Sequence, residues 1–207
     1  MVYTQTQPGA DSSRQFYLRA PTAMQIDTFL QQQANQPFSY PDVGATKATT
    51  PRNYVVDHNR IGLGHGERVY RQACAALQQW EMFNLAWLRL CWPTAPLIEG
   101  ITVGIMAQVG GVHILNACRI VYTIQEETES SWRFGFAYGT LPGHIERGEE
   151  RFLVQWDRRN DTVWYDILAF SQPAHWLVRL GHPVARIFQK RFARDSKAAM
   201  QRSIHAT

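Results

Sequence analysis

Five side chains in the second half of the chain are of the types that move protons: Tyr138, His144, Glu146, Glu150 and Asp166. A carboxyl group held on an apolar wall without a partner has its pKa raised, which suits it to act as general acid or base near neutral pH. Strand parity predicts where these groups sit. Residues 144–156 and 162–170 read as two strands joined by the turn DRRND, and centring that turn near Arg159 sets Phe152 opposite Asp166 and Val154 opposite Trp164. His144, Glu146, Glu150, Phe152, Val154 and Trp156 then share a face with Trp164, Asp166, Leu168 and Phe170, and the apolar members mark it as the inner one. This predicts Asp166 on the concave side of a sheet, with Glu150, Glu146 and His144 toward its rim. A bulge at Gly148 would turn Glu146 and His144 to the other face. Together with Tyr138 these groups would serve proton transfer, dehydration or cyclisation. The competing reading is a set of structural ion pairs, for which Arg119, Arg133, Arg147 and Arg151 are available.

Other chemistries are poorly supplied. His58, His65, His113 and His144 fall at no metal-ligand spacing, so neither a metal nor another cofactor is expected. GLGHG at 62–66 lacks both the GxGxxG spacing and the GK[ST] of a phosphate loop, and reads as a strand-to-helix turn. Cys74, Cys91 and Cys118 are odd in number, form no CxxC pair and lie among apolar residues, as befits reduced thiols in a cytoplasmic protein. Cys118 lacks a motif that would bring a base to it, so packing is the simpler role. Trp164, Phe152, Phe134 and Phe136, with Asn116 and Cys118 on a neighbouring strand, are the expected ligand-binding wall; filling of the core is the alternative.

The elements that must position these groups follow from hydrophobic period and turn residues. Residues 1–36 form an irregular leader in which Thr22–Gln33 predicts a short helix with Ile26, Phe29 and Leu30 as its apolar side. Residues 37–207 form a single domain. Asn53–Ile61 reads as a strand, Gly66 opens a helix running through Phe83, and Leu85–Trp92 reads as another strand. Gly110-Gly111 between two β-rich runs predicts a tight hairpin with Val109 opposite Val112, Ile105 opposite Asn116 and Val103 opposite Cys118. Trp132, Phe134, Phe136 and Tyr138 alternate onto one face. From Pro173 the chain reads as helix, interrupted at Gly181-His182-Pro183, with Val184, Ile187, Phe188, Phe192, Ala199 and Met200 as the buried stripe of the last helix. Strand, helix, a run of antiparallel strands and a long C-terminal helix make an α+β fold with the helices on one face of the sheet. A curved sheet around a long helix encloses a cavity, the default place for a ligand.

The 207 residues are 45% hydrophobic and 12% aromatic, which excludes wholesale disorder, collagen-like chains and disulfide scaffolds. No run approaches the ~18 apolar residues of a spanning helix. The net charge of +4 is uneven. Residues 174–207 hold seven bases (Arg179, Arg186, Lys190, Arg191, Arg194, Lys197 and Arg202) against Asp195. The basic C-terminal helix is therefore either a solvated face or a surface for anionic lipid, while the inward aromatics give no nucleic-acid signature.

PFSYPDVGAT (37–46), RIGLGHGERVYRQACAALQQW (60–80), NACRIVYTI (116–124), FGFAYGTLPGHIERGEERFLVQW (134–156) and VWYDILAFSQP (163–173) closely resemble the domain of unknown function 1990, also called uncharacterised protein family 0548. The resemblance spans about residues 37–203 and includes the closing RFARDSKAAMQR. It implies a distant likeness to the helix-grip proteins, the superfamily of START lipid-transfer domains, the birch-pollen-allergen group and polyketide cyclases. A lipid, isoprenoid or polyketide-like ligand, and a cyclase or dehydratase activity at Asp166, Glu150, His144 and Tyr138, are its two functional implications. The chloroplast-envelope association of plant members carries over as an alternative, peripheral location.

Overall fold

The computed structural model describes residues 15–174 and 182–205. Seven strands form one antiparallel sheet in the order β2 (Val55–His65), β8 (Thr162–Pro173), β7 (Glu146–Asp157), β6 (Ser131–Thr140), β5 (Val112–Glu127), β4 (Thr102–Val109) and β3 (Leu88–Leu90). A two-residue β1 (Phe16–Tyr17) pairs with β5. The sheet curls into a half-barrel, and α2 (Gly66–Gln78) and α3 (His182–His205) lie in its concavity. This is the α+β, helix-grip-like order expected from the sequence.

The β4–β5 hairpin has the predicted register, with Ile105 opposite Asn116 and Val103 opposite Cys118. Gly110 and Gly111 have φ of 55° and 83°, the left-handed pair that a two-residue turn of matching twist requires. Trp132, Phe134, Phe136 and Tyr138 face inward as predicted. On β5 the register shifts between Ile120 and Tyr122, so Cys118 and Ile120 point inward while Tyr122 and Ile124 join Ala137 and Leu153 on the convex face.

The β7–β8 connection differs from the sequence expectation by one residue. Asp157 pairs with Thr162, leaving a four-residue loop, and Leu153 rather than Phe152 stands opposite Asp166. Asp157 fixes this loop by accepting from Arg159 N at 3.0 Å and Asn160 Nδ2 at 3.0 Å, and Asp161 takes φ 59°. A one-residue slip exchanges the faces of a strand. Trp164 and Asp166 are therefore on the convex face, and Val163, Tyr165 and Ile167 supply the concave one. Nor does a bulge interrupt β7 at Gly148: the register with β8 is continuous from Glu146↔Pro173 to Asp157↔Thr162.

Three further expectations change in part. β2 runs on to His65, with a shift between Gly62 and Gly64, while α2 opens at Gly66 as predicted. α2 stops at Gln78, because Trp80 turns the chain at φ 57° into a single turn, Glu81–Phe83. In α3, Phe192, Ala193, Ser196, Ala199, Met200 and Ile204 form the stripe toward the sheet. Ile187 is 64% exposed, since it stands about 200° around the helix from Gln189. Residues 175–181, with Arg179, lie outside the described residues, as does the Val184 side chain.

The described part of the leader, from residue 15, docks on the convex face. α1 (Ala23–Ala34) starts at a capping box of Thr22 and Gln25, and its Phe29 packs with Met106, Leu115, Ala117 and Leu141. Its C-terminal carbonyls are met by Arg119, whose Nη2 donates to Gln33 O at 3.1 Å, Ala34 O at 2.6 Å and Gln36 O at 2.9 Å.

Gly148 is the tightest point of the sheet. At φ 156°, a Cβ there would stand 1.9 Å from the carbonyl oxygen of Phe170. Gly111, at φ 83°, has open space where its Cβ would go. Gly148→Ala is expected to cost about 3 kcal/mol in urea unfolding, the sum of backbone strain and overpacking, and Gly111→Ala about 1 kcal/mol. Equal losses would show that the close approach of β8 to Gly148 is relieved at no cost.

Candidate functional site

Aromatic packing fills one end of the half-barrel and leaves the other open. Trp80, Phe83, Phe136, Tyr138 and Phe152 interlock beneath α2, with ring centroids 4.8 Å apart for Trp80–Phe136 and 5.3 Å for Phe136–Phe152. Phe192 of α3 closes this cluster at 5.3 Å from Phe83. Beyond it, between the first half of α3 and β2, β4, β5, β7 and β8, lies a cavity of about 480 Å³. Phe83, Trp87, Ile105, Ile114, Ile167 and Phe188 give it apolar walls.

Besides Asp57 at its edge, two carboxyl groups open into it. The unbroken β7 register puts Glu146, Gly148 and Glu150 on the inner face. Tyr138, paired with Glu150 across β6 and β7, donates its hydroxyl to Glu150 Oε2 at 2.6 Å. Burial pushes the Glu150 carboxyl up to about 7 against the opposing effect of that hydrogen bond, and Glu146 and Asp57 push the same way as burial. Burial likewise raises Glu146 to about 7, although Gln189 Nε2 donates to its Oε1 at 2.6 Å and Arg186 is near. Gln189 also donates to Ser171 Oγ at 2.9 Å. Arg186 is claimed by Asp57 through two contacts, Nη2–Oδ1 being 2.9 Å, and donates to Gln189 Oε1 at 2.6 Å. His144 lines the cavity as a neutral ring, burial having lowered its pKa to about 4, and its Nδ1 accepts from Glu146 N at 2.9 Å. Asn116 Oδ1 accepts from Ile145 N at 3.3 Å.

Of the residues predicted for catalysis, Tyr138, His144, Glu146 and Glu150 thus reach one cavity. Asp166 does not. The β7–β8 register sends it to the convex face, where it binds Arg151 Nη2 at 2.9 Å and His58 Nε2 at 2.7 Å, the structural ion pair held open as the alternative. Trp164 goes with it, beneath the guanidinium of Arg60 at 4.3 Å. Of the expected ligand-binding wall, Asn116 lines the cavity. Phe134, Phe136, Phe152 and Cys118 face inward but belong to the packed core, because α2 and the Glu81–Phe83 turn occupy the space in front of them. Burial raises the Cys118 thiol well above its ordinary value and holds it protonated. Among the described residues, no three His, Cys, Asp or Glu side chains gather as a metal site.

Sequence reading missed Asp57, Arg186 and Gln189. The available signal was the alternation Asp57, Asn59, Ile61 on β2, which places two polar side chains on an otherwise apolar face. It also missed the role of Glu149, which is 2% exposed and points to the convex side. Glu149 accepts from Tyr40 Oη at 2.7 Å, Gly44 N at 2.6 Å, Thr46 N at 2.9 Å and the Thr46 hydroxyl. The basic C-terminal helix is partly spoken for as well: Arg186 binds Asp57, Arg191 and Arg194 bind Asp195, and Lys197 reaches Asn59 Oδ1 at 3.4 Å. No helix among the described residues is long and apolar enough to cross a membrane.

The family model of the domain of unknown function DUF1990 matches residues 39–199, from the cradle of Glu149 to the buried stripe of α3. The chain belongs to this family. A UPF0548 protein of Dictyostelium discoideum is 34% identical over 206 residues, covering 91% of this chain and 95% of that protein. UPF0548 proteins of Arabidopsis thaliana and Deinococcus radiodurans are each 34% identical, over 158 and 190 residues, covering 74% and 86% of this chain and 75% and 93% of theirs. Among solved structures, a conserved protein of Geobacillus kaustophilus is similar at TM-score 0.46 and 9% identity, covering 73% of this chain and 96% of that one. A hypothetical protein of Helicobacter pylori is similar at 0.42 and 10%, covering 82% and 95%.

The raised carboxyl groups fix the sign of a pH effect. From about pH 4.5 to 7 the folded chain retains protons on Glu146 and Glu150 that the unfolded chain has released, so each group removes stability as the pH rises through that window. Glu150→Gln is expected to gain about 2–3 kcal/mol on the native chain between pH 4.5 and 8 in urea titrations. Glu149→Gln is expected to lose about 2–4 kcal/mol at neutral pH, because buried donors then face an amide. A Glu150→Gln advantage that stayed constant with pH would refute the raised carboxyl.

Proposed function

We propose that the protein binds a hydrophobic small molecule, of lipid, isoprenoid or polyketide-like kind, in the cavity between the curled sheet and the first half of α3. The observation that carries this reading is the cavity itself. Protein interiors fill to crystal-like density, and voids much larger than a water are rare. Here the fold packs one end of the half-barrel solidly and leaves about 480 Å³ at the other, within the ordinary range of ligand pockets. Its walls are largely apolar, and its polar groups cluster around Glu146 and Glu150, which gives a ligand one oily body and one polar end.

Ala169 lines the cavity from β8, where a larger side chain would project into free space. Nile red, a neutral apolar dye, is expected to bind the native chain at one equivalent by fluorescence titration. Ala169→Phe is expected to weaken it at least tenfold while leaving the urea midpoint nearly unchanged. Equal binding by both chains would place the dye elsewhere and defeat the reading.

One observation favours a second reading at the same place, acid–base catalysis. A carboxyl group near 7, hydrogen-bonded to a phenol at 2.6 Å, is poised to take a proton from one atom of a bound substrate and return it to another. In a dehydration, Glu150 would remove a proton from the carbon beside a carbonyl and deliver it to the departing hydroxyl, releasing water. Glu150→Gln would then lower turnover of β-hydroxyketones by about 10²-fold or more without weakening their binding. A loss of binding equal to the loss of rate would assign Glu150 to recognition alone.

A further inference from the structure

The buried and half-buried acids of this chain differ in how they are satisfied. Glu149 takes four donors, Asp166 takes Arg151 and His58, and Asp57 takes Arg186. Asp195 takes Trp87, Arg191 and Arg194. Glu150 has a single neutral donor, Tyr138, on Oε2; its Oε1 accepts no hydrogen bond among the described residues. The side chain is nonetheless partly solvent-accessible, and the space it opens to is the cavity. No lysine or arginine is among the described residues that line this space. The nearby Arg186 is already held by Asp57 and Gln189. The other titratable groups turned toward Glu150 are Glu146 on β7, Cys118 on β5, Tyr165 on β8 and Asp57 on β2, none of them a cation.

We propose that the ligand of this cavity is an apolar molecule bearing a basic nitrogen, whose ammonium group donates to the free Oε1 of Glu150 while its body lies along the apolar walls. The inference rests on the cavity reading above and adds the sign and hydrogen-bonding character of the ligand's polar end. An ammonium head supplies both things that Glu150 lacks, a donor for Oε1 and a positive charge in a low-dielectric site. A carboxylate or phosphate head would meet Glu146, Glu150 and Asp57, and among the described residues that line the space no cation is free to receive it. A hydroxyl head can donate one hydrogen bond but restores no charge.

The test is displacement of Nile red from the full chain at pH 8 by decylamine, decan-1-ol and decanoate, which share a ten-carbon body. Decylamine is expected to displace the dye at a concentration at least tenfold below that of decanol, with decanoate the weakest. Glu150→Gln is expected to bring amine and alcohol within about threefold. The native chain offers the same comparison without a substitution. Lowering the pH from 8 to 5.5 protonates Glu146 and Glu150, and the amine's advantage over decanol should shrink. Decanoate equal to decylamine, or an amine preference that survives both Glu150→Gln and pH 5.5, overturns the inference and leaves the cavity reading standing. Displacement by none of the three from a chain that binds the dye does the same. Failure of the dye to bind the native chain overturns the cavity reading and this inference with it.

Discussion

The alternation of β7 decides the character of this molecule. Glu149 and Glu150 are neighbours in sequence, and the pleat sends them to opposite faces. Glu149 enters a cradle built by residues 40–46 and ties that segment to the convex side through Tyr40, Gly44 and Thr46. Glu150 enters the concavity, where the only donor it meets among the described residues is a phenol. Gly148 makes this possible. Its missing side chain lets β8 come close without a register shift, so Glu146 and Glu150 keep the same face on either side of it. A bulge there would have dispersed the two inward acids.

How the half-barrel is filled follows from where α2 ends. A helix running through Phe83 would keep Trp80 and Phe83 on one face and carry them a further turn along the axis of α2. Trp80 instead leaves the helical region, its indole donates to Ala95 O at 2.8 Å, and Met82 and Phe83 fold under it. That plug completes the core against Phe136, Phe152 and Phe192. Among the described residues, α3 meets no such plug between Arg186 and Gln189. Phe188 contacts Trp87 at 5.8 Å, and Gln189 and Arg186 hold the helix to the sheet by hydrogen bonds rather than by packing. The cavity is the region where α3 meets the sheet through polar contacts at its edge and little apolar contact at its centre.

The element order and most inner faces were legible in the sequence because they rest on local signals. Gly110-Gly111 fixed one register, and Trp132, Phe134, Phe136 and Tyr138 fixed one face. The failure at Asp166 came from a four-residue loop, where a count of one decides the face of a whole strand. DRRND contains no glycine pair to mark its centre, and what sets it is the Asp157 side chain bonding to Arg159 and Asn160. Phe134, Phe136 and Phe152, expected to line a pocket, proved to be core. Both roles use the same side chains, and only the path of α2 and its following turn separates them. Asp57, Arg186 and Gln189 come from β2 and α3, which are far apart in the chain and meet at the cavity's edge. No spacing within a single segment could have shown that meeting.

Polar burial in this chain is distributed with a consistent logic. Glu149 and Asp166 on the convex side, and Asp57 at the cavity's edge, each receive charged or multiple donors, the condition under which a buried carboxylate is tolerated. Around the cavity, Glu146 and Glu150 receive one neutral donor each among the described residues, too little to offset the burial that makes both resist ionisation. Replacing them by apolar residues would remove that cost, so the stability of the fold gives no reason for their presence. A pair of under-satisfied acids on one strand face, opening onto an apolar cavity of about 480 Å³, is instead the feature on which the proposed ligand site rests. On the proposed reading the partner's hold depends on the donor it brings, so the polar end, more than the volume of the apolar walls, would set what this cavity selects.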